Sequence, residues 1–146
     1  PAREPEAQRS ARVDGSSLGE PGPRQLIVYV EDNPPNIAFM EAFLADFERL
    51  ALLTAPTAEI GIELARARRP DLIIMDINLP GMSGFEAVEQ LRRWPETRDT
   101  PIVGLSAAAM VRDHKRVEDA GFFRYLTKPV DVDELTAVLE QVLGRG

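Results

Sequence analysis

The stretch Asp71-Leu72-Ile73-Ile74-Met75-Asp76-Ile77-Asn78-Leu79-Pro80-Gly81-Met82 decides the fold. Leu72 to Met75 run without polar alternation, the pattern of a strand covered on both faces, which places it inside a parallel sheet flanked by helices. Asp76 closes that run. Asn78 and Gly81 are turn formers, so the plain reading of Asp76 is a turn aspartate. The functional reading gains weight from its position at the end of the most apolar strand.

Four further apolar runs bracket this one: Leu26 to Val30, Leu50 to Thr54, Ile102 to Leu105 and Phe122 to Leu126. Between and after them, apolar residues recur at three- and four-residue steps, as in Met40, Phe43, Leu44, Phe47 and in Leu135, Val138, Leu139, Val142. Such spacing gives each helix one face to lay on a sheet. Start signals agree: Asn33 before Pro34 fits an N-cap, Ser83 with Glu86 a capping box, and Asp131 with Glu134 a similar cap. Gly121 is placed to end a fourth helix. Strands alternating with helices predict an α/β fold, a doubly wound, flavodoxin-like (βα)5 unit whose parallel five-stranded sheet has the order 2-1-3-4-5. Ligands of such sheets sit beyond the carboxyl ends of the strands, where the order reverses.

Composition narrows the function. At 146 residues with 44% hydrophobic content the chain suits one domain with one buried core. Residues 1–24, with Pro1, Pro5, Pro21, Pro23 and scattered charges, read as a linker or tail, which leaves 25–146 as the folded domain. The net charge of −7 repels nucleic-acid phosphates and anionic lipid, so neither is an expected partner. The absence of cysteine excludes disulfides and thiolate metal sites and suits a cytoplasmic location. No apolar run reaches the roughly 20 residues needed to span a bilayer.

The strand ends carry chemistry. Glu31 and Asp32 follow the first strand and Asp76 ends the third, its neighbour in the expected order, so three carboxylates converge. Mutual repulsion and desolvation oppose that cluster unless a cation joins it. Mg²⁺ suits oxygen donors of this kind, with the main-chain carbonyl of Asn78 as a further candidate. Ser106 at the end of the fourth strand and Lys128 after the fifth reach the same rim, where an ammonium and a hydroxyl can hold phosphoryl oxygens. Each residue alone has an ordinary explanation: solvated loop acids, a helix-capping serine, a surface lysine. Their joint placement points to phosphoryl transfer onto an aspartate nucleophile.

Together the stretches Tyr29-Val30-Glu31-Asp32-Asn33, Asp71 to Met82, Leu105-Ser106-Ala107 and Tyr125-Leu126-Thr127-Lys128-Pro129 resemble the receiver domain of bacterial two-component response regulators and hybrid sensor kinases. The resemblance spans residues 26 to 143. It implies that Asp76 is the phosphoacceptor, that Glu31, Asp32, Asp76 and the Asn78 carbonyl hold Mg²⁺, and that Ser106 and Lys128 contact the phosphoryl group. Tyr125 matches the family's switch aromatic, and Lys128-Pro129 a bond usually cis. The family often has aspartate where this chain has Glu31. Ala107 and Ala108 are small and should leave an acyl phosphate open to a partner or to water.

The expected donor is a phosphohistidine on a histidine kinase or histidine phosphotransfer domain. The expected result is a changed protein-binding surface and, possible in this family, a homodimer through the fourth helix, fifth strand and fifth helix. With only Gly144-Arg145-Gly146 after Leu143, no attached DNA-binding output is expected. The carboxyl-terminal receiver of a hybrid kinase is favoured over a stand-alone regulator, and over a receiver used for contacts alone. An aspartate-nucleophile phosphatase would carry a second aspartate where Asn78 stands, and a nucleotide hydrolase would need a phosphate-cradling Gly-rich loop that is absent. The chain therefore reads as a phosphoacceptor rather than an enzyme. His114 sits among Arg112, Asp113, Lys115 and Arg116 as a solvated residue, and Trp94 reads as a partly buried anchor near the end of the third helix.

Overall fold

The computed structural model describes residues 22–106 and 121–144. In chain order they form β1 (Gln25–Val30), α1 (Pro34–Leu44), β2 (Leu50–Ala55), α2 (Ala58–Arg68), β3 (Leu72–Asp76), α3 (Gly84–Arg93), β4 (Ile102–Ser106), β5 (Arg124–Thr127) and α4 (Val132–Leu143). All strands pair in parallel in one five-stranded sheet, β2-β1-β3-β4-β5, the order expected from the sequence. The fourth helix expected before Gly121, with Ala107, Ala108 and His114, lies outside the described residues, as does the linker up to residue 21. The last described helix, α4, is therefore the fifth of the sequence reading. Among the described residues no helix is long and apolar enough to cross a membrane.

Local chemistry starts each helix. Asn33 accepts from the Asn36 N–H at 3.1 Å and Thr57 from the Ile60 N–H at 3.1 Å. Ser83 and Glu86 close a reciprocal capping box, at 3.2 and 3.0 Å. Asp131 caps α4 through the Asp133 N–H at 2.8 Å, so its partner is the second helical residue and not Glu134. Gly121, at φ 101°, adopts a positive φ that glycine takes without a side-chain penalty.

Successive strand residues point to opposite faces and build two core layers. Ile27, Tyr29, Ile74 and Leu105 pack with Met40 and Leu44 of α1 and with Leu135, Val138 and Leu139 of α4. Val28, Val30, Ile73 and Met75 pack with Ile62 and Ala65 of α2 and with Val88 and Leu91 of α3. A side chain at Gly84 would place its Cβ 2.9 Å from the Ile77 Cα, so glycine lets α3 start against the turn that follows Asp76.

β5 is shorter than its apolar run suggests. The strand begins at Arg124, not Phe122: Phe122 is buried edge-on to Phe85, 5.8 Å between ring centroids, and plugs the core before the strand starts. Phe123 donates its N–H to the Ile102 carbonyl at 2.7 Å while its side chain is exposed. Trp94 is also more exposed than expected, at 38%, with the Arg66 guanidinium 3.6 Å above its ring and held there by Glu96 at 2.8 Å.

Arginines satisfy carbonyls that helices and turns leave open. Arg49, buried, donates to the Leu143 carbonyl at 3.0 Å and caps the end of α4. Arg92 donates to the carbonyls of Thr97, Arg98 and Thr100 at 3.3, 2.9 and 2.9 Å, and to that of Gly121 at 2.9 Å. Burial lowers its pKa, with Asp99 opposing. Removing that guanidinium strands several carbonyls at once. Arg92→Met should therefore lower the unfolding free energy by about 2 kcal/mol in urea titration, and Arg92→Lys should recover only part of it, because an ammonium cannot span the fork of acceptors.

Candidate functional site

The sheet delivers its site residues by register. The Glu31 N–H continues the β1 ladder to the Ala55 carbonyl at 2.9 Å, which fixes the backbone just past β1. Asp76 ends β3 opposite Leu105, and the next N–H, from Ile77, reaches the Leu105 carbonyl at 2.8 Å. Asn78 then folds back, its N–H donating to Asp76 Oδ1 at 2.9 Å. Ser106 ends β4 opposite Thr127, and its carbonyl accepts the Lys128 N–H at 2.7 Å, so one strand end orients the next. The Lys128–Pro129 bond is cis, as the resemblance implied.

Glu31, Asp32 and Asp76 each bring one carboxylate oxygen within 4.8 Å of the others. Glu31 is 1% exposed and Asp76 6%, whereas Asp32 faces solvent. Lys128 Nζ lies 3.0 Å from Asp76 Oδ2 and 3.3 Å from Glu31 Oε1, so one ammonium bridges the two buried acids. Glu31 Oε1 also accepts from the Tyr29 hydroxyl at 3.0 Å, and Oε2 from the Asn33 N–H at 3.3 Å. Burial works against the charge of Lys128, but the hydrogen bond and charge of Asp76, aided by Glu31, outweigh it and raise its pKa. Burial first, and the Glu31 charge second, push the Tyr29 phenol up as well. Both groups therefore keep their protons at neutral pH.

Three carboxylates against one ammonium leave an excess of negative charge carried entirely on hard oxygen donors. That set fits a small divalent cation such as Mg²⁺ and offers nothing to a thiophilic metal. The hydroxyl-bearing Ser106 is buried at the same rim. Tyr125 stands level with Gly104, two residues short of Ser106, and packs partly buried on the α2/α3 side of the sheet. An apolar cleft lined by Phe39, Met40, Leu105 and Val130 opens beside Lys128 and Tyr29.

Among the described residues, the site residues singled out in the sequence stand at the carboxyl rim except Tyr125, which lies just below it. Tyr29 was missed. It stands two residues before Glu31 in an extended strand, hence on the same face, and that period was the available signal.

A family model described as the response regulator receiver domain matches residues 27–140. The sensor protein GacS of Pseudomonas syringae pv. syringae is 32% identical over 142 residues, which cover 94% of this chain but 15% of that protein. The polar-differentiation response regulator DivK of Brucella anthropi is 33% identical over 118 residues, 81% of this chain and 95% of that protein. Among solved structures, the receiver domain of the sensor histidine kinase PA1611 from Pseudomonas aeruginosa PAO1, described with a magnesium ion coordinated in its active site cleft, is similar at a TM-score of 0.74. It is 32% identical and the match covers 82% of this chain and 97% of that one. The receiver domain of the Saccharomyces cerevisiae response regulator Ssk1, solved with the histidine phosphotransfer protein Ypd1, matches at a TM-score of 0.76 and 26% identity over 84% of this chain and 91% of that one.

The Lys128 bridge has a pH signature. A raised folded-state pKa means that its stabilisation is fully present below the unfolded value near 10.5 and fades as pH rises through the folded value above it. Lys128→Met, without Mg²⁺, should lose about 1–2 kcal/mol, between the worth of exposed and buried pairs. In denaturant titrations its deficit against the parent should hold steady across neutral pH and shrink only beyond 10.5.

Proposed function

The chain belongs to the response regulator receiver domain family of two-component signalling, and from that premise we propose that Asp76 accepts a phosphoryl group from a phosphohistidine on a partner protein. The observation that carries the proposal is the Lys128 ammonium 3.0 Å from Asp76 Oδ2, beside the gathered oxygens of Glu31 and Asp32. In the transfer an Asp76 carboxylate oxygen forms a bond to phosphorus as the phosphorus–nitrogen bond of the donor imidazole breaks. The leaving imidazole keeps the electron pair and takes a proton. Glu31, Asp32, Asp76 and the Asn78 main-chain carbonyl would hold Mg²⁺, which when bound supplies positive charge to the phosphoryl oxygens. Lys128 offsets charge on another of those oxygens, and the Ser106 hydroxyl donates to a third.

Once Asp76 carries the group, the phosphoryl oxygens bear about two negative charges where the carboxylate bore one, a net gain of about one that also projects farther from the strand end. Ser106 and Lys128 follow that charge, Tyr125 responds to the space left near Ser106, and the adjoining surface changes its affinity for partners. The reaction is stoichiometric, with at most slow self-hydrolysis, and so is not turnover by an enzyme. The donor is a histidine kinase or a phosphotransfer domain in the cytoplasm. The complex of Ssk1 with Ypd1 supports that class, and the apolar cleft with the exposed Phe39 offers contact surface beside Lys128.

The receiver occupies residues 25–146 and the preceding 24 act as a linker, as in a hybrid kinase. The match to sensor protein GacS, which takes in 94% of the chain, supports this reading. Asn78 at the place of a second aspartate speaks against a phosphatase.

Incubation with Mg²⁺ and acetyl phosphate, followed by intact mass measurement, should show a gain of one phosphoryl group that needs Mg²⁺ and disappears in Asp76→Asn. No gain with that donor or a second one would leave a receiver that serves contacts alone.

A further inference from the structure

We propose that Tyr29 is a positioning residue of the acidic site, its hydroxyl holding the Glu31 carboxylate in the place from which it takes part in Mg²⁺ binding; the inference rests on the metal site proposed above. Glu31 has one more methylene than an aspartate, hence one more side-chain torsion to fix, and it is 1% exposed, so water cannot orient it. Three groups do so instead. The Asn33 N–H and Lys128 Nζ each stand at 3.3 Å, and Lys128 is shared with Asp76 at a closer 3.0 Å. The Tyr29 hydroxyl, at 3.0 Å from Oε1, makes the shortest of the three contacts to Glu31.

Tyr29 is itself immobilised. Its ring is 2% exposed within the core layer that contains Met40 and Leu105, so the hydroxyl is delivered from a packed wall rather than from a swinging side chain. A carboxylate already held in place loses less freedom when a cation binds, and donors that orient ligating carboxylates from outside are worth about 10–100-fold in metal affinity. The longer acid and the tyrosine form a unit: the methylene that gives Glu31 its reach also gives the hydroxyl something to hold.

The test is a double-mutant cycle on the full chain, with Mg²⁺ binding read by isothermal titration calorimetry. Tyr29→Phe keeps the ring and removes only the donor, and thermal unfolding without Mg²⁺ reports whether the fold is kept. In the parent background it should weaken Mg²⁺ binding roughly tenfold. In the Glu31→Asp background, where the shorter carboxylate falls short of the hydroxyl, it should change binding by less than about twofold. In the acetyl phosphate reaction, Tyr29→Phe should raise the half-saturating Mg²⁺ concentration and leave the rate at saturating Mg²⁺ intact. An equal loss in both backgrounds would make Tyr29 a core residue only, and no loss in either would also overturn the proposal. If the parent takes up no Mg²⁺, the metal site itself is wrong and this inference goes with it.

Discussion

Placing β1 beside β3 forces like charges together. The pairing of Val30 with Met75 puts Glu31 and Asp76 at neighbouring strand ends, and both are buried. Such a pair is tolerable only with a counter-charge in contact, and Lys128 arrives from the far side of β4 to provide it. The path of the chain serves that contact. The Ser106 carbonyl fixes the Lys128 backbone, the missing side chain at Gly84 lets α3 close on the turn behind Asp76, and two apolar layers supply the burial that outweighs the repulsion.

Much of this was legible because the informative features are local or periodic. Leu72 to Met75 announce a doubly covered strand, and the carboxylates, Ser106 and Lys128 follow such strands directly. The errors arise where one residue type serves two purposes. Phe122 and Phe123 extend an apolar run, yet one plugs the core and the other points outward before pairing begins. Trp94 has the size of a core residue, but the helix ends at Arg93 and leaves its ring as a platform for Arg66. Tyr29 fits any buried strand, and nothing in its identity announces the hydroxyl bond to Glu31.

Arg49 and Arg92 mark a deeper boundary. Their acceptors lie as far as 94 and 29 residues away, so no local pattern separates them from solvated arginines. Each satisfies carbonyls where the backbone runs out of its own donors: Arg49 at the end of α4, Arg92 at the approach to β4 and at Gly121. Among the described residues, Arg49 and Arg92 thus direct their charge at the backbone. Lys128 differs in being aimed at carboxylates, which is why its environment raises its pKa while burial lowers that of Arg92.

The two tyrosines of the chain stand on opposite sides of the sheet, and that asymmetry bears on how a charge at Asp76 would be felt. Tyr29 belongs to the layer under α1 and α4, is buried and is bonded to Glu31. Tyr125 packs partly exposed on the layer under α2 and α3, beside the segment that leads to Lys128. Tyr29 is bonded to a buried acid, whereas Tyr125 stands on a four-residue strand at the sheet edge. Under the proposed function the first tyrosine keeps the acidic site in register while the second transmits its occupancy toward β5.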